Sequence, residues 1–160
     1  MNLHIRPFCD DDIEDLVRLS LLAWLPIFTS FEQILGPEIY PIIYPDWQKS
    51  QRETVETVCK DGEETRVWVA AVDGVVVGFV AYKLHKNETG EVYLLAVHPE
   101  YQNDGIGAEL NNVALKKMQE SGIKMAVVGT GGDPSHAPAR KSYEKAGYTA
   151  LPLVRYYKKL

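Results

Sequence analysis

Residues 91–110 decide the fold of this chain, and they read EVYLLAVHPEYQNDGIGAEL. The apolar run that ends at His98-Pro99 predicts a buried strand, and Gly105 and Gly107 predict a tight turn into a helix. The first amides of such a helix have no backbone partners, and the helix dipole favours a negative charge in front of them. The stretch therefore predicts an anion site between a strand and a helix, and a pyrophosphate is the natural candidate.

Two other kinds of phosphate-binding loop do not match this spacing. A dinucleotide-binding fingerprint needs a third glycine where this chain has Leu110, and a triphosphate-binding loop needs a Gly-Lys-Ser/Thr sequence that the chain lacks. A Gly-x-Gly pair alone is more often a plain structural turn. The residues around the turn therefore have to decide its role.

The first third of the chain predicts a strand followed by helices. Leu3–Arg6 reads as a short strand, and Asp11 and Glu14 have the spacing of a capping box at the start of a helix. Prolines and aromatic residues between Trp24 and Trp47 predict short helical pieces broken by turns. A more polar helix is expected from about residue 46 to residue 59.

The rest of the chain predicts a sheet with helices on both faces. The Asp73-Gly74 turn predicts a hairpin between two valine-rich strands, and Gly122 predicts the end of the helix that begins near Gly105. The expected fold is α/β (α+β), with a mixed, mostly antiparallel central sheet in a single domain over residues 1–160. The expected elements are strands at 66–72, 75–84, 91–97, 123–128 and Leu153–Lys158, and helices at 105–122 and 138–146.

Composition predicts a soluble cytoplasmic protein. The chain of 160 residues is 46% apolar and 24% charged, and it shows neither a secretion signal nor an apolar run of the ~20 residues that a membrane span needs. With 22 acidic and 17 basic residues the net charge is −5, which disfavours nucleic acid as a partner. Cys9 and Cys59 lack the spacing of a zinc site, so we expect free thiols and no metal.

Residues 90–110 resemble the GNAT superfamily of N-acetyltransferases. The motif of that superfamily, Gln/Arg-x-x-Gly-x-Gly/Ala, follows a central strand, and here Gln102, Gly105 and Gly107 occupy its three specified positions. The resemblance extends over about residues 66–148. It implies a GNAT-like sheet, acetyl-coenzyme A as acyl donor and an amine as acceptor.

A second motif downstream strengthens this resemblance. His136, Ala139 and Tyr143 fall on the superfamily's Asn-x-x-Ala-x-x-x-Tyr pattern, with His136 in place of the asparagine. The resemblance implies that turn amides hold the pyrophosphate of coenzyme A and that the backbone of the central strand pairs with its pantetheine arm. Asp104 replaces a residue that is often basic in the family and would repel phosphate. The residues expected at the cofactor are Leu95, Ala96, Val97, Gln102, Asn103, Asp104, Gly105, Ile106, Gly107, His136 and Ala139.

The resemblance also implies two proton-transfer groups. Glu91 has the position of a catalytic glutamate that accepts the proton of the amine, and Tyr143 has the position of the acid that protonates the departing thiolate. Structural roles are the alternatives, because Glu91 can be an exposed charge at a strand end and Tyr143 a buried aromatic residue. His98 and His136 are further candidates for moving protons, although His98 fits a strand-ending turn and His136 a backbone role.

The acceptor is expected beside the segment that follows the first helix. Tyr40, Tyr44, Asp46 and Trp47 offer aromatic faces and a carboxylate, which suit a cation, although such aromatics can equally pack a short helix onto the core. The glycine-rich loop at 129–133 can admit varied acceptors or contact the pantetheine.

Two rival functions remain at this point: a non-catalytic acyl-coenzyme A sensor, and an acetyltransferase acting on charged transfer RNA, which the net charge disfavours. The sequence leaves open whether the protein is a monomer or a homodimer.

Overall fold

The centre of the molecule is a five-stranded sheet, seen in a computed structural model that describes residues 1–160. The strands lie in the order β1-β2-β3-β4-β5. The first four are antiparallel, and β5 is parallel to β4. This architecture confirms the expected mixed, mostly antiparallel sheet. The strands are β1 (Leu3–Pro7), β2 (Thr65–Val72), β3 (Val75–Leu84), β4 (Thr89–Val97) and β5 (Met125–Val128).

Helices cover both faces of the sheet, as expected. Helices α1 and α2 pack on one face and α3 on the other. Helix α4 reaches from one side to the other, because His136 at its start stacks on Phe31 of α1 and Tyr148 beyond its end donates a hydrogen bond to Asn111 of α3. The helices are α1 (Ile13–Ile43), α2 (Trp47–Lys60), α3 (Ile106–Glu120) and α4 (Ala137–Lys145).

Two hydrophobic clusters hold these layers together. Helix α3 buries side chains three or four residues apart, which form one stripe along the helix and pack against the sheet. The stripe consists of Ile106, Leu110, Ala114 and Met118. On the opposite face, the fully buried residues Leu16, Val17, Val55, Val69 and Phe79 join α1 and α2 to the sheet.

A bulge in β4 lies where this strand separates from β5. Ala81 pairs with Leu94 and Tyr82 pairs with Val92, so Tyr93 is an extra residue without a partner on β3. On its other side, β4 pairs with β5 only from Thr89 to Val92. The two strands diverge beyond that point, and the β5-facing edge of β4 is left without a strand partner over residues 93–97.

The structure corrects the expected start of α1. Asp11 and Glu14 form no capping box; instead, the carboxylate of Asp12 accepts hydrogen bonds from the backbone amide of Cys9 at 2.9 Å and from Arg6 at 2.8 Å. Asp12 is buried, but Arg6 supplies the opposite charge at close range, so the fold can keep this buried carboxylate ionised at the helix start.

The expectation of short helical pieces broken by turns after Trp24 is confirmed only beyond Gly36. Helix α1 passes through Pro26 and breaks at Gly36, whose φ of 75° and ψ of 177° lie outside helical values. Pro37 follows as the first residue of the next turn, where its missing N–H costs nothing.

By length and composition, the segment Asp10–Ile43 is also the one stretch that matches a membrane span. A single helix of this kind does not establish a membrane span, because core helices of soluble proteins and signal sequences also meet the criterion; 11% of its most apolar window is buried.

The predicted last strand at Leu153–Lys158 is wrong. Residues 149–160 have no regular secondary structure, and nearly all of their side chains are exposed. The pattern of this segment suits a strand, but a strand forms only where a neighbour offers backbone partners, and Pro152 has no N–H to donate. The outer edge of β5 therefore stays open, with Met125 and Val127 exposed.

Candidate active site

The turn before α3 presents a row of free backbone amides. Gly105 has a φ of 82°, in the left-handed region that favours glycine, and Asn103 has a φ of 69°. The first backbone bond of the helix is donated by Glu109 to the carbonyl of Gly105, at 3.1 Å. None of the amides of residues 103–108 donates a hydrogen bond within the protein. Six free donors at the positive end of a helix form a place for an anion.

The side chains of this turn take different roles from its backbone. The amide of the Gln102 side chain donates to the carbonyl of Val97 at 3.0 Å, which ties the turn to the end of β4. Ile106 points into the hydrophobic core, so only its backbone is available to a ligand. Asp104 is exposed and makes no capping bond, so its charge stands beside the free amides.

Gly107 brings this turn against the free edge of β4. A Cβ atom added to Gly107 would lie 3.6 Å from Cδ2 of Leu95 and 3.7 Å from Cγ2 of Val97, which is ordinary van der Waals contact. The structure thus places the glycine turn beside Leu95, Ala96 and Val97, as the sequence predicted. The free amides of the turn and the unpaired edge of β4 are therefore neighbours.

Tyr143 lies on α4 as a half-buried phenol. Burial, followed by the neighbouring Tyr148, raises the pKa of Tyr143 to about 12. The two rings meet edge to face at 5.6 Å, and Tyr148 donates to the side-chain oxygen of Asn111 at 3.1 Å. With a pKa of about 12 the Tyr143 hydroxyl is protonated at neutral pH, and it is free to donate because it makes no hydrogen bond within the protein.

Glu91 lies in the paired part of β4. Its neighbours across the sheet are Lys83 on β3 and Val127 on β5, and its carboxylate lies 3.2 Å from Nε2 of His85. The side chain keeps 38% of its surface exposed. Leu95, where the strands have opened, is four residues further along, or about 13 Å at ~3.3 Å per residue. A proton released where β4 and β5 have diverged can therefore reach the carboxylate of Glu91 only through intervening water molecules.

An aromatic cluster lies where α1 meets α2. Phe28 stacks on Trp47 with ring centroids 4.5 Å apart, and Phe31 stacks on Tyr44 at 5.6 Å. Tyr40 contacts Tyr44 at 5.6 Å. The structure therefore brings together Tyr40, Tyr44 and Trp47, which the sequence had grouped. We call Phe28, Phe31, Tyr40, Tyr44 and Trp47 the aromatic cluster.

Two of its members were missed from the sequence, and one predicted partner has another role. Phe28 and Phe31 are three positions apart, so they share a face of α1, and that spacing was the available signal. Asp46 is exposed and caps α2, where its carboxylate accepts a hydrogen bond from the amide of Lys49 at 3.1 Å. The observed role of this carboxylate is therefore to cap the N-terminus of α2.

The loop after β5 is held in place rather than loose. Arg140 donates to the carbonyls of Gly131 and Asp133, both at 2.7 Å. The carboxylate of Asp133 accepts from Ser30 of α1 at 2.7 Å and bonds Nδ1 of His136. His136 stacks on Phe31 with ring centroids 5.7 Å apart. Its side chain makes no capping hydrogen bond to the backbone of α4, so it lacks the backbone contact that was expected in place of the asparagine. Sequence reasoning missed this network.

His98 has the structural role that the sequence favoured. Its Nδ1 accepts a hydrogen bond from the amide of Glu100 at 3.2 Å, at the turn that ends β4. Its ring meets Tyr101 edge to face at 5.9 Å. The histidine therefore shapes the turn between β4 and the glycine loop.

Comparisons with known proteins agree with this geometry. A family model described as "Acetyltransferase (GNAT) family" matches residues 29–148. An uncharacterized N-acetyltransferase of Archaeoglobus fulgidus is 31% identical over 135 residues, which cover 81% of this chain and 82% of that protein. The crystal structure of the PaiA N-acetyltransferase of Thermoplasma acidophilum in complex with coenzyme A superposes with a TM-score of 0.73 at 21% identity, covering 94% of this chain and 92% of the other.

Another similarity covers only part of a longer protein. A mycothiol acetyltransferase of Thermomonospora curvata is 32% identical over 83 residues, which are 52% of this chain and 27% of that protein. The chain thus matches about a quarter of the length of this relative.

Proposed function

The chain belongs to the GNAT family of acetyltransferases, and we propose that it transfers the acetyl group of acetyl-coenzyme A to a primary amine of a small molecule or peptide. One observation carries the proposal: the six free amides before α3 lie in line with the unpaired edge of β4. A cytoplasmic location is part of the proposal.

The residues present fit acetyl-coenzyme A, which supplies an acetyl group activated as a thioester. The amides of residues 103–108 would hold the pyrophosphate, and helix α3 adds the favourable field of its dipole. The free edge of β4 at Leu95–Val97 would pair with the amides of the pantetheine arm as a neighbouring strand would. Ala139 lies one turn before Tyr143 on α4, and its small side chain leaves that face of the helix open.

The aromatic cluster supports a cationic acceptor. Ring faces attract an ammonium group, and the attraction strengthens where water is excluded. Tyr44 and Trp47 end one helix and begin the next, so both rings are positioned by the junction between α1 and α2. We place the acceptor amine against Tyr40, Tyr44 and Trp47, with Asp46 at the exposed rim.

The amine must lose a proton before it can attack. At pH 7 an alkylammonium with a pKa of ~10.4 is neutral in only about one molecule in 10³ to 10⁴, which adds about 4 to 5 kcal/mol to the barrier. Glu91 is the proton acceptor that the sequence predicts, and from its place in the paired part of β4 it would act through water. Tyr143 would donate its phenolic proton to sulfur as the carbon–sulfur bond breaks, and the high pKa of Tyr143 keeps that proton available across the neutral range.

The main alternative is a sensor that binds an acyl-coenzyme A without turnover. A protonated phenol without a hydrogen-bond partner on α4 is available as an acid, and this favours an enzyme. Amine-dependent thiol release separates the two functions. The purified protein is incubated with acetyl-coenzyme A and a panel of polyamines, aminoglycosides, amino acids and peptides, and an enzyme releases thiol with at least one of them. A sensor binds acetyl-coenzyme A and releases thiol with none.

A further inference from the structure

A carboxylate and an imidazole form a pair where α4 begins, next to the aromatic cluster. Nδ1 of His136 bonds Oδ1 of Asp133, and the two side chains keep only 14% and 8% of their surface exposed. The imidazole ring also stacks on Phe31. We propose that His136, oriented by Asp133, accepts the proton that the acceptor ammonium loses. The assignment rests on the proposed function and gives His136 the role that the sequence had given to Glu91.

Asp133 is built to stay ionised. Its second oxygen accepts hydrogen bonds from the hydroxyl of Ser30 at 2.7 Å, from the amide of Ser135 at 3.2 Å and from the hydroxyl of Ser135. Burial alone would raise the pKa of Asp133, but the hydrogen bonds from Ser135, His136 and Ser30 outweigh it and hold that pKa well below its usual range. An ionised carboxylate keeps Nδ1 of the imidazole protonated and stabilises the imidazolium that forms when the ring takes a second proton.

The other nitrogen of His136 is available to a substrate. With Nδ1–H directed at Asp133, the lone pair lies on Nε2, which makes no hydrogen bond within the protein and is not fully enclosed by it. Tyr143 on α4 follows His136, the residue just before that helix, by seven positions, or about 10 Å along the helix axis at ~1.5 Å per residue. The imidazole therefore lies between the aromatic cluster, where a cation fits, and the phenol assigned to sulfur.

The proton transfers balance with His136 as acceptor. An N–H bond of the ammonium breaks, its electron pair stays on nitrogen, and the proton moves to Nε2 and from there to solvent. The nitrogen lone pair then forms a bond to the acetyl carbon while the carbon–sulfur bond breaks. Sulfur takes the proton of Tyr143, and the phenol regains one from the nitrogen. One ammonium and one thioester give one amide, one thiol and one free proton.

Other charged or titratable groups face the pair, and they stay the same in every variant described below. Arg140 approaches from α4 through its bonds to the carbonyls of Gly131 and Asp133. Tyr44 approaches from α1 through its stacking on Phe31. Further charged or titratable groups lie around the neighbouring tyrosines rather than at the pair: Glu32 near Tyr40, and Arg155 and Tyr157 near Tyr44.

Two neighbouring glycines offer a matched pair of variants. A Cβ atom added to Gly131 would collide with Nδ1 of His136 and with Oδ1 of Asp133, whereas one added to Gly132 would meet nothing within 4 Å. Gly131→Ala should therefore disturb the pair without touching its chemical groups. Gly132→Ala is the control for a changed loop backbone.

The experiment measures kcat/KM against pH with an amine that the acceptor panel has identified. The wild type should show an acidic limb well below the amine's own pKa of about 10.4. His136→Asn, which restores the asparagine of the family motif, should move that limb towards the amine's pKa and lower kcat/KM at pH 7 by about 10²-fold. Gly131→Ala should shift the limb in the same direction and Gly132→Ala should not. Asp133→Asn should lower kcat/KM at pH 7, because the carboxylate that orients the ring and stabilises the imidazolium is gone.

The results that overturn the proposal are equally specific. The proposal is overturned if the folded His136→Asn variant has the same acidic limb in its kcat/KM profile as the wild type. It is also overturned if Glu91→Gln moves that limb and His136→Asn does not. If His136→Asn does not fold, as judged by circular dichroism, the Gly131 and Gly132 variants decide, and equal pH profiles for these two overturn the assignment. A wild type that transfers acetyl to no amine refutes the proposed function itself, a failure visible before any variant is made.

Discussion

Placing a negative charge at Gly107 should abolish binding of acetyl-coenzyme A while leaving the fold intact. An added Cβ there meets only Leu95 and Val97, at 3.6 and 3.7 Å, so the protein itself has room for a side chain. A carboxylate about 5 Å from one phosphate charge, at an effective dielectric constant of about 20, costs about 3 kcal/mol. Gly107→Glu should therefore bind more than about 100-fold more weakly than Gly107→Gln, which adds the same bulk without the charge.

Isothermal titration calorimetry with acetyl-coenzyme A measures this difference. Gly107→Ala shows how much the first added carbon costs, and circular dichroism confirms that each variant is folded. The assignment of the phosphate site is refuted if folded Gly107→Glu binds as the wild type does, or if the Glu and Gln variants bind equally well.

Three further predictions concern single residues. Tyr143→Phe should lower kcat by about 10²-fold in an assay where chemistry limits the rate and leave the Kd for acetyl-coenzyme A unchanged, because only a proton is lost; an unchanged kcat would make the tyrosine a packing residue. Asp104→Asn should strengthen binding of acetyl-coenzyme A by about fivefold at low salt, less at high salt, and a weaker affinity in calorimetry would contradict the position of the pyrophosphate. A hydrogen bond from Arg6 lowers the pKa of Asp12 from 3.8 to about 2, so the pair should add about 2 kcal/mol above pH 4 and lose it as the pH falls towards 2. Urea unfolding of Asp12→Asn should show that loss at pH 7 and not at pH 2; equal losses at both would contradict it.

The parts of the fold that the sequence predicted correctly are those that neighbouring residues determine. The Asp73-Gly74 turn joins β2 to β3 as expected, and the stripe from Ile106 to Met118 faces the sheet. The break in α1 depends on more than local signals. Pro26 is tolerated inside the helix, and the chain bends only where Gly36 adopts a conformation that other residues avoid.

The strand predicted at residues 153–158 shows that a strand-like sequence alone does not determine pairing. Residues 153–158 have the composition of a strand, but pairing depends on which edge lies beside them in three dimensions. The structure places Tyr157 next to Tyr44 rather than along β5, and this raises the pKa of Tyr44 in addition to the effect of burial. No feature within the segment encodes that position.

In the candidate site, too, the features set by nearby residues were predictable and those set by distant residues were not. The glycine turn was predictable because Gln102, Gly105 and Gly107 lie within six residues of one another. The pair at His136 was not, because Asp133 is fixed by Ser30, which lies 103 positions earlier in the chain. A substitution of the family's asparagine by His136 was the one sequence signal that pointed there.

Acetyl transfer is tested most directly by its stoichiometry. The enzyme is incubated with acetyl-coenzyme A and the best amine of the panel, and free thiol and N-acetylated amine are quantified in the same samples, by a thiol reagent and by mass spectrometry. We predict one acetylated amine for each thiol released, at a rate that depends on the amine and on Tyr143. Thiol release without acetylated amine, or tight binding of acetyl-coenzyme A with neither product for any amine, would contradict an N-acetyltransferase.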